Sequence, residues 1–495
     1  MSNKAKLTPH NRLNRMPHFR SAAAVKVAAF ILILIFIPGC ATYQPKPMNL
    51  DNTAKRLEAR TLTNRGLKTF IEKTLQRKIL PWPLKSWDLN MLMISARYYN
   101  PNIKIALSKF KIAKASEITA AQFPNPIIVP QFQYNPLPNK GETPLSYGIE
   151  ELWLPFETAG RRGYKIKIAE RKAQSTIFNT VSSSWKTYGR LMNSLINIHY
   201  AKQRINLLRK IIYYRKNLVK ILKYSLAVGE VPQTDVLKAK TSTANALIFL
   251  NDARQHEDDS YAVLASAIGV RVKAVREINI NFNWLEGLSF NKNLINSSLK
   301  EKALTDRADI LESLNNYKAQ ESTLQLEVAR QYPNIDIGPG VLWNSGVAVW
   351  SFLLKLTLPI FNQNNGPIAV AKAKLNLEEK NIKNIQLRVI DKLSQAESNY
   401  LVSVRKLKTS KALLAYHKKQ LKITEKEFIT GEIGRQGLVL SHIGYLFAKL
   451  SYIKAITNLQ RSFVTLELTV QQPLMKNLPV SPVLILNKNL RRNNR

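Results

Sequence analysis

The sequence predicts a mainly α chain with a small β part, built from a helix–strand–strand–helix–helix unit used twice. Three observations lead there. First, the stretch from Ala329 to Ala373 changes period: a helical pattern stops at Tyr332-Pro333, because proline lacks an amide hydrogen and biases its predecessor away from the helical region. Strict alternation follows, with Ala348, Trp350, Phe352, Leu354, Leu356 and Leu358 on one face and Val349, Ser351, Leu353, Lys355 and Thr357 on the other. Second, the unit recurs. Phe123-Pro124-Asn125 matches Tyr332-Pro333-Asn334, Leu154-Pro155-Phe156 matches Leu358-Pro359-Ile360, and Val228-Gly229-Glu230-Val231 matches Thr430-Gly431-Glu432-Ile433. Three pairs in one order, each about 200 residues apart, indicate a tandem duplication. Third, two Pro-free stretches predict helices of roughly 60 residues, on the order of 95 Å long, which must pack lengthwise against partners.

Taken in order, residues 1–39 predict an export signal: Lys4, Lys6, Arg12, Arg15, Arg20 and Lys26 precede an apolar run from Val27 to Ile37. At about 11 residues this run is too short to span a bilayer. Cys40 is the only cysteine, so no internal disulfide is possible. Its setting, Ile37-Pro38-Gly39-Cys40-Ala41, resembles a bacterial lipoprotein lipobox. Ile37 and Gly39 fit that pattern and Pro38 departs from it; Ala41, not Asp, follows the cysteine, as in lipoproteins sorted to the outer membrane. The basic region is long, which makes Met16 a candidate start, and the competing reading is a buried or inert cysteine after an uncleaved signal. Residues 40–87 read as a Pro-punctuated tether with one short helix around Leu67 to Arg77.

The first repeat covers 88–269. Asp88 precedes a helix, Asn100-Pro101 restarts the next with a capping side chain and proline at the first helical position, and Pro124 stops it. Strands are expected at about 127–134 and 146–154, bounded by Pro124 and Pro155 and joined by a Pro- and Gly-rich loop. A long helix pair occupies about 163–268, with Gly229 breaking it, Pro232 opening the return helix and Thr234-Asp235 offering capping oxygens. Residues 270–300 link the repeats. The second repeat, 301–470, has a helix to about Gln331, strands at about 334–343 and 348–358 bounded by Pro333 and Pro359, and a helix pair at about 368–469 broken from Gly431 to Gly437. A basic tail, 471–495, carries Arg491, Arg492 and Arg495.

The formal charge of +41 alone suggests an anionic partner, but removing the first 39 residues leaves +35, and the rest is scattered over helix faces. That pattern disfavours nucleic acid as a partner. No metal or Cys–His site is indicated: His10, His18, His199, His256, His417 and His442 show no ligand spacing. Gly338-Pro339-Gly340 lacks the rest of a nucleotide fingerprint, and Met91 and Met93 read as core residues. An enzyme would need a nucleophile or carboxylate constellation that the sequence does not offer, and no cofactor is implied.

From Asp88 to Thr469 the chain resembles the outer membrane factor (TolC-like) family, the exit ducts of tripartite efflux pumps and type I secretion systems. Leu358-Pro-Ile-Phe-Asn-Gln-Asn-Asn-Gly-Pro-Ile-Ala369 is similar to a motif of its heavy-metal (cobalt-zinc-cadmium) efflux branch. Thr158-Ala-Gly-Arg-Arg-Gly163 resembles that branch's glycine-lysine-arginine turn, and Arg307-Ala-Asp-Ile310 its arginine-proline-aspartate-leucine helix start, with Ala308 in place of proline. The resemblance implies a homotrimer in the outer membrane lipid of a Gram-negative bacterium, a periplasmic adaptor and inner-membrane pump as partners, and no enzymatic activity. Simple physics agrees: four strands cannot close a barrel around a passage, and open edges in lipid leave backbone groups unpaired, whereas three chains supply an even twelve strands. The resemblance also makes Gly229, Asp235, Gly431 and Arg435 candidates for the periplasmic gate. Asp235 matches an aspartate that holds the family's entrance shut, with a plain capping role as the alternative. The second tip departs from the family: the gate arginine falls at Ile433, acidic ring positions at Gly437 and Leu440, and a tyrosine at Phe428. A different class of function, a non-transporting envelope lipoprotein whose basic helices bind an anionic surface, remains the alternative.

Overall fold

The computed structural model describes residues 42–286, 296–344 and 346–474. Cys40 and the predicted signal lie outside the described residues, as do 287–295 of the linker and the arginines of the tail. The chain divides into two units, 1–56 and 57–495. In the first, the described residues are 42–56, where α1 (Leu50–Glu58) begins; none of its residues is buried.

The second unit holds everything else. It opens with α2 (Arg65–Leu75) and α3 (Leu89–Tyr99). Here the expected tether is corrected, because from residue 57 onward it is folded into the main core. Leu62, Leu67, Ile71, Ile79 and Trp87 are buried together with Leu92 and Ile94 of α3. The backbone of Trp87 also pairs with the linker: its N–H donates to Asn279 O (2.8 Å), and Asn281 N–H donates to Trp87 O (2.9 Å). The prolines punctuate this stretch without releasing it, since its apolar residues find a shared core. Asn100 ends α3 and starts α4 (Pro101–Ala121), accepting from the amides of Asn102 (2.8 Å) and Ile103 (3.2 Å) through Oδ1.

β1 (Ile127–Tyr134) and β2 (Leu145–Phe156) follow, then α5 (Arg161–Ala227, 67 residues) and α6 (Gln233–Ile268, 36 residues). Short α7 (Val272–Arg276) and α8 (Asn283–Glu286) lie in the linker. The helix expected to run to Gln331 is two helices, α9 (Ser297–Thr305) and α10 (Ala308–Ala329), interrupted at Asp306-Arg307. β3 (Ile335–Asn344), β4 (Val347–Leu356), α11 (Asn365–Ile429, 65 residues) and α12 (Arg435–Val470, 36 residues) complete the fold. The four strands make one antiparallel sheet in the order β1-β2-β3-β4, so the two repeats are joined by the β2–β3 pairing. A mainly α chain with one small sheet is therefore the observed fold class.

The long helices lie side by side as α6, α5, α12, α11. One apolar cluster joins Ile205, Leu208 and Ile211 of α5 to Leu250 of α6 and to Leu446 and Ile453 of α12. Among the described residues no helix is long and apolar enough to cross a membrane.

Candidate functional site

Three regions matter, and the sheet is the first. Its strands are 8 to 12 residues long, the length a tilted strand needs to cross a hydrocarbon layer. On β4 the alternating apolar face is bare: Trp350 is 80% exposed and Phe352 71%. Phe132, Tyr134 and Ile127 of β1 are exposed likewise. β1 pairs only with β2 and β4 only with β3, so both outer strands present unpaired backbone edges within the chain.

The sheet bends at a bulge that sequence reasoning missed. Against β1, Val129 faces Glu151 while Pro130 faces Ile149, which leaves Glu150 opposite nothing. Against β3, Ile149 faces Val341 but Leu154 faces Ile337, so β2 again carries one residue more than its neighbour. Both neighbours accommodate this. Pro130 has no amide hydrogen to leave unpaired, and Gly340 has no Cβ to meet the Glu150 carbonyl. Pro155, expected as a strand boundary, instead lies inside β2 facing Asp336; near a strand end its missing donor costs little. Pro124 and Pro333 fall between helix and strand, and Pro359 three residues past β4.

Below the sheet, the Thr158–Gly163 turn ties the repeats together. The Arg161 guanidinium donates to the carbonyls of Ala329 (3.3 Å), Arg330 (3.3 Å) and Tyr332 and to Asn334 Oδ1 (2.7 Å), satisfying the carbonyls that α10 leaves free at its end. Asn364 does the same after β4, donating to Glu327 O (2.7 Å). The Arg307-Ala308-Asp309 start of α10 holds an ion pair between buried Arg307 and half-buried Asp309: Arg307 donates to both carboxylate oxygens of Asp309 (3.0 and 2.7 Å) and to Thr469 O. Burial pushes the Asp309 carboxyl up, but the Arg307 hydrogen bonds and charge outweigh it and hold it below its ordinary value. Ala308 keeps an N–H that proline would lack, and donates it to Gln471 Oε1 (2.9 Å). Fully buried Glu467 accepts from the Tyr188 hydroxyl (2.9 Å) and from Leu474 N–H (3.0 Å). Burial, then the Glu467 charge, push the Tyr188 phenol well above its usual value. A lone Tyr and Glu far apart in sequence gave no signal of this pairing.

The third region is the far end of the helix pairs. Gly229 and Gly431 both adopt left-handed φ (76° and 85°) with open space where a side chain would be. Pro232 is the residue before α6, not its first helical residue, and no side chain caps that end. Asp235 sits in the first turn and accepts from Lys238 Nζ (3.3 Å), so the expected cap is a local ion pair instead. The second break is shorter than expected: α12 starts at Arg435, and Gly437 is already helical. Within the chain no ion pair among the described residues joins Asp235 to Arg435. Among the described residues, no group of three His, Cys, Asp or Glu could hold a metal.

No protein-family model matches the chain, and no curated protein matches it. Solved structures do. The Campylobacter jejuni CmeC outer membrane channel superposes with a TM-score of 0.63 over 92% of this chain and 98% of its own, at 14% identity. CusC, solved for the changes that accompany its folding and transmembrane channel formation, gives 0.63 over 87% and 99%, also at 14% identity. The open state of the Neisseria gonorrhoeae MtrE outer membrane channel gives 0.62 over 79% and 91%, at 16% identity. The chain thus has the fold of the TolC-like outer membrane channels.

Proposed function

We propose that this protein is the outer-membrane exit duct of a tripartite efflux system, passively conducting substrate from a periplasmic adaptor and an inner-membrane pump to the outside. The observation that carries this is a sheet of membrane-crossing length with a bare apolar face and two unpaired edges, continued by helices on the order of 100 Å long. Unpaired edges are untenable in lipid, so copies of the chain complete one another; three copies give twelve strands. Residues 1–39 are then a cleaved signal, Cys40 a lipid-bearing N-terminus, the two strand pairs a shared barrel, and the helix pairs a periplasmic sleeve. The motif from Leu358 to Ala369 points to the heavy-metal branch, so metal cations are the first substrate class to test, with drugs the second. A duct is a passage, and the pump does most of the selecting.

Mass measurement of the detergent-solubilised protein is expected to give three chains per particle; a stable monomer would rule the shared barrel out. Carbonate washing of the Cys40→Ser protein, which has no lipid to hold it, separates this reading from an envelope lipoprotein whose basic helices bind a surface: the duct stays in the membrane, a surface binder leaves. Cys40→Ser is expected to abolish fatty-acid labelling and cleavage after Gly39 while the oligomer still assembles, because strand pairing, not lipid, closes the barrel. A mature N-terminus elsewhere, without lipid, would refute the anchor.

A further inference from the structure

Below the sheet the two repeats each form a groove between a shorter helix and a long one, and the two grooves differ in kind. In the first repeat α4 and α5 flank an open groove of about 610 Å³. Ile112 and Ala113 of α4 and Ile168 and Ala169 of α5 form its floor, and Lys109, Lys165 and Lys172 stand around it. Lys109 also borders a second cavity, of about 370 Å³, which adds Lys186 and Arg190. In the second repeat the groove between α10 and α11 is lined by carboxylates and amides, Asp309, Glu312, Glu378, Asn381 and Asn384, with Arg388. Asn316 borders both grooves, so they open on one face. Laying Phe123 over Tyr332 puts Ile112 over Glu321, and laying Gly229 over Gly431 puts Thr176 over Glu378. The apolar floor with its cationic rim therefore belongs to the first repeat's own sequence and not to the shared architecture.

The rim is short of anions. Lys165 is engaged by Glu157, but Lys109, Lys172 and Lys186 are exposed and have no ion-pair or hydrogen-bond partner among the described residues. The Glu312 carboxylate, reaching this end from α10, accepts from Asn179 Nδ2 (2.9 Å). Burial pushes that carboxyl above its ordinary value; Asn179 and the charges of Lys186 and Lys109 pull it back only in part, so lysines from both helices converge here. The floor asks for something else. Ile112 is 68% exposed beside Ile168, an apolar strip that an alkyl chain would cover and an inorganic anion would not. Lys172 lies roughly 16 Å into α5, deeper below the sheet than a bilayer headgroup region extends.

We propose that the α4–α5 groove is a binding site for a soluble amphiphilic anion, a single carboxylate or sulfate on an unbranched alkyl chain. Lys109 and Lys172 hold the head, and the chain lies over Ile112, Ala113, Ile168 and Ala169. Lysine ammonium groups are point charges without a fixed fork, so the site reads charge and chain more than the shape of the head. Both helices belong to one chain, so the site depends neither on a second copy nor on the reading of the protein as a duct.

The test uses the full-length protein in nanodiscs of phosphatidylcholine and equilibrium dialysis of labelled decanoate, with the uptake of empty nanodiscs subtracted. Saturable binding that weakens with salt is expected. Decanol and decylammonium are expected to compete about tenfold less well than unlabelled decanoate. Lys109→Gln combined with Lys172→Gln is expected to weaken decanoate about tenfold or more. Ile112→Asn, at an exposed residue that supports no core, is expected to weaken it as well. Arg388→Gln, in the second repeat's groove, is the control and is expected to leave binding unchanged. Equal competition by decanol, or decanoate binding that survives the double lysine change, overturns the site. Displacement by dihexanoylphosphatidylglycerol at lower concentration than by decanoate would assign these lysines to a lipid headgroup and overturn the soluble ligand.

Discussion

Gly340→Val is expected to split the sheet at the joint between the repeats and to abolish assembly of the proposed oligomer. A Cβ at Gly340 would lie 1.9 Å from the backbone oxygen of Glu150, and the Glu150 carbonyl carbon would be 2.8 Å away. Neither can step aside as a flexible side chain could. Both belong to the bulge that lets β2 carry one residue more than β3. Crowding a packed site typically costs about 3 kcal/mol at the upper end, and here the strain falls on the β2–β3 pairing that joins the two halves of the sheet. Because a bulge sharpens local twist, its loss would also flatten a sheet that has to curve to close the proposed barrel. The measurement is the amount of heat-resistant oligomer in the outer membrane. Gly366→Ala is the control: nothing lies within 4 Å of its added Cβ, and its assembly is expected to match wild type. Wild-type assembly of Gly340→Val would mean that β2 and β3 can part without consequence.

How much of this was legible follows from what each feature needs. Asn100-Pro101 could be read because a cap and a fixed φ act within three residues, and the structure places both as the sequence implies. The long helices could be read because nothing breaks them between Gly163 and Ala227. The duplication could be read from three short matches. What failed was whatever depends on a partner distant in sequence. The stretch carrying Leu62, Ile71 and Trp87 looks like a tether until the linker residue Ile280 is known to bury beside it. Glu467 looks like a solvated charge until Tyr188 and Leu474 surround it. The bulge at Glu150 was foreshadowed by Pro130 and by Gly338-Pro339-Gly340, two oddities in otherwise regular strands, but the register that explains them needs three strands at once. At the tips, Asp235 was legible as a helix-start residue, whereas its Lys238 pairing lay within the same turn and was overlooked.

If the proposed duct closes at its helix tips through these two residues, Asp235→Ala and Arg435→Ala each raise single-channel conductance in planar bilayers, and the double change adds little beyond either. Among the described residues the Asp235 carboxylate is held by the exposed Lys238, and pairs of that kind contribute little, so it can exchange partners. Arg435 is the first residue of α12, where the positive end of the helix disfavours a cation and favours an anion nearby. A carboxylate brought to that point from another copy would meet both the guanidinium and the helix end. Such a charge-assisted bond contributes about 2 kcal/mol, so its loss shifts the closed–open balance roughly 30-fold toward open. Because the partners form one contact, removing the second after the first has nothing left to break. The positions aligned with the family's own gate, Ile433, Gly437 and Leu440, carry no charge, which leaves Arg435 as the cation available in that turn. Additive effects would assign the two residues to separate contacts. Unchanged conductance in Asp235→Ala would leave Asp235 as a first-turn partner of Lys238 and place the closure elsewhere along the two tips.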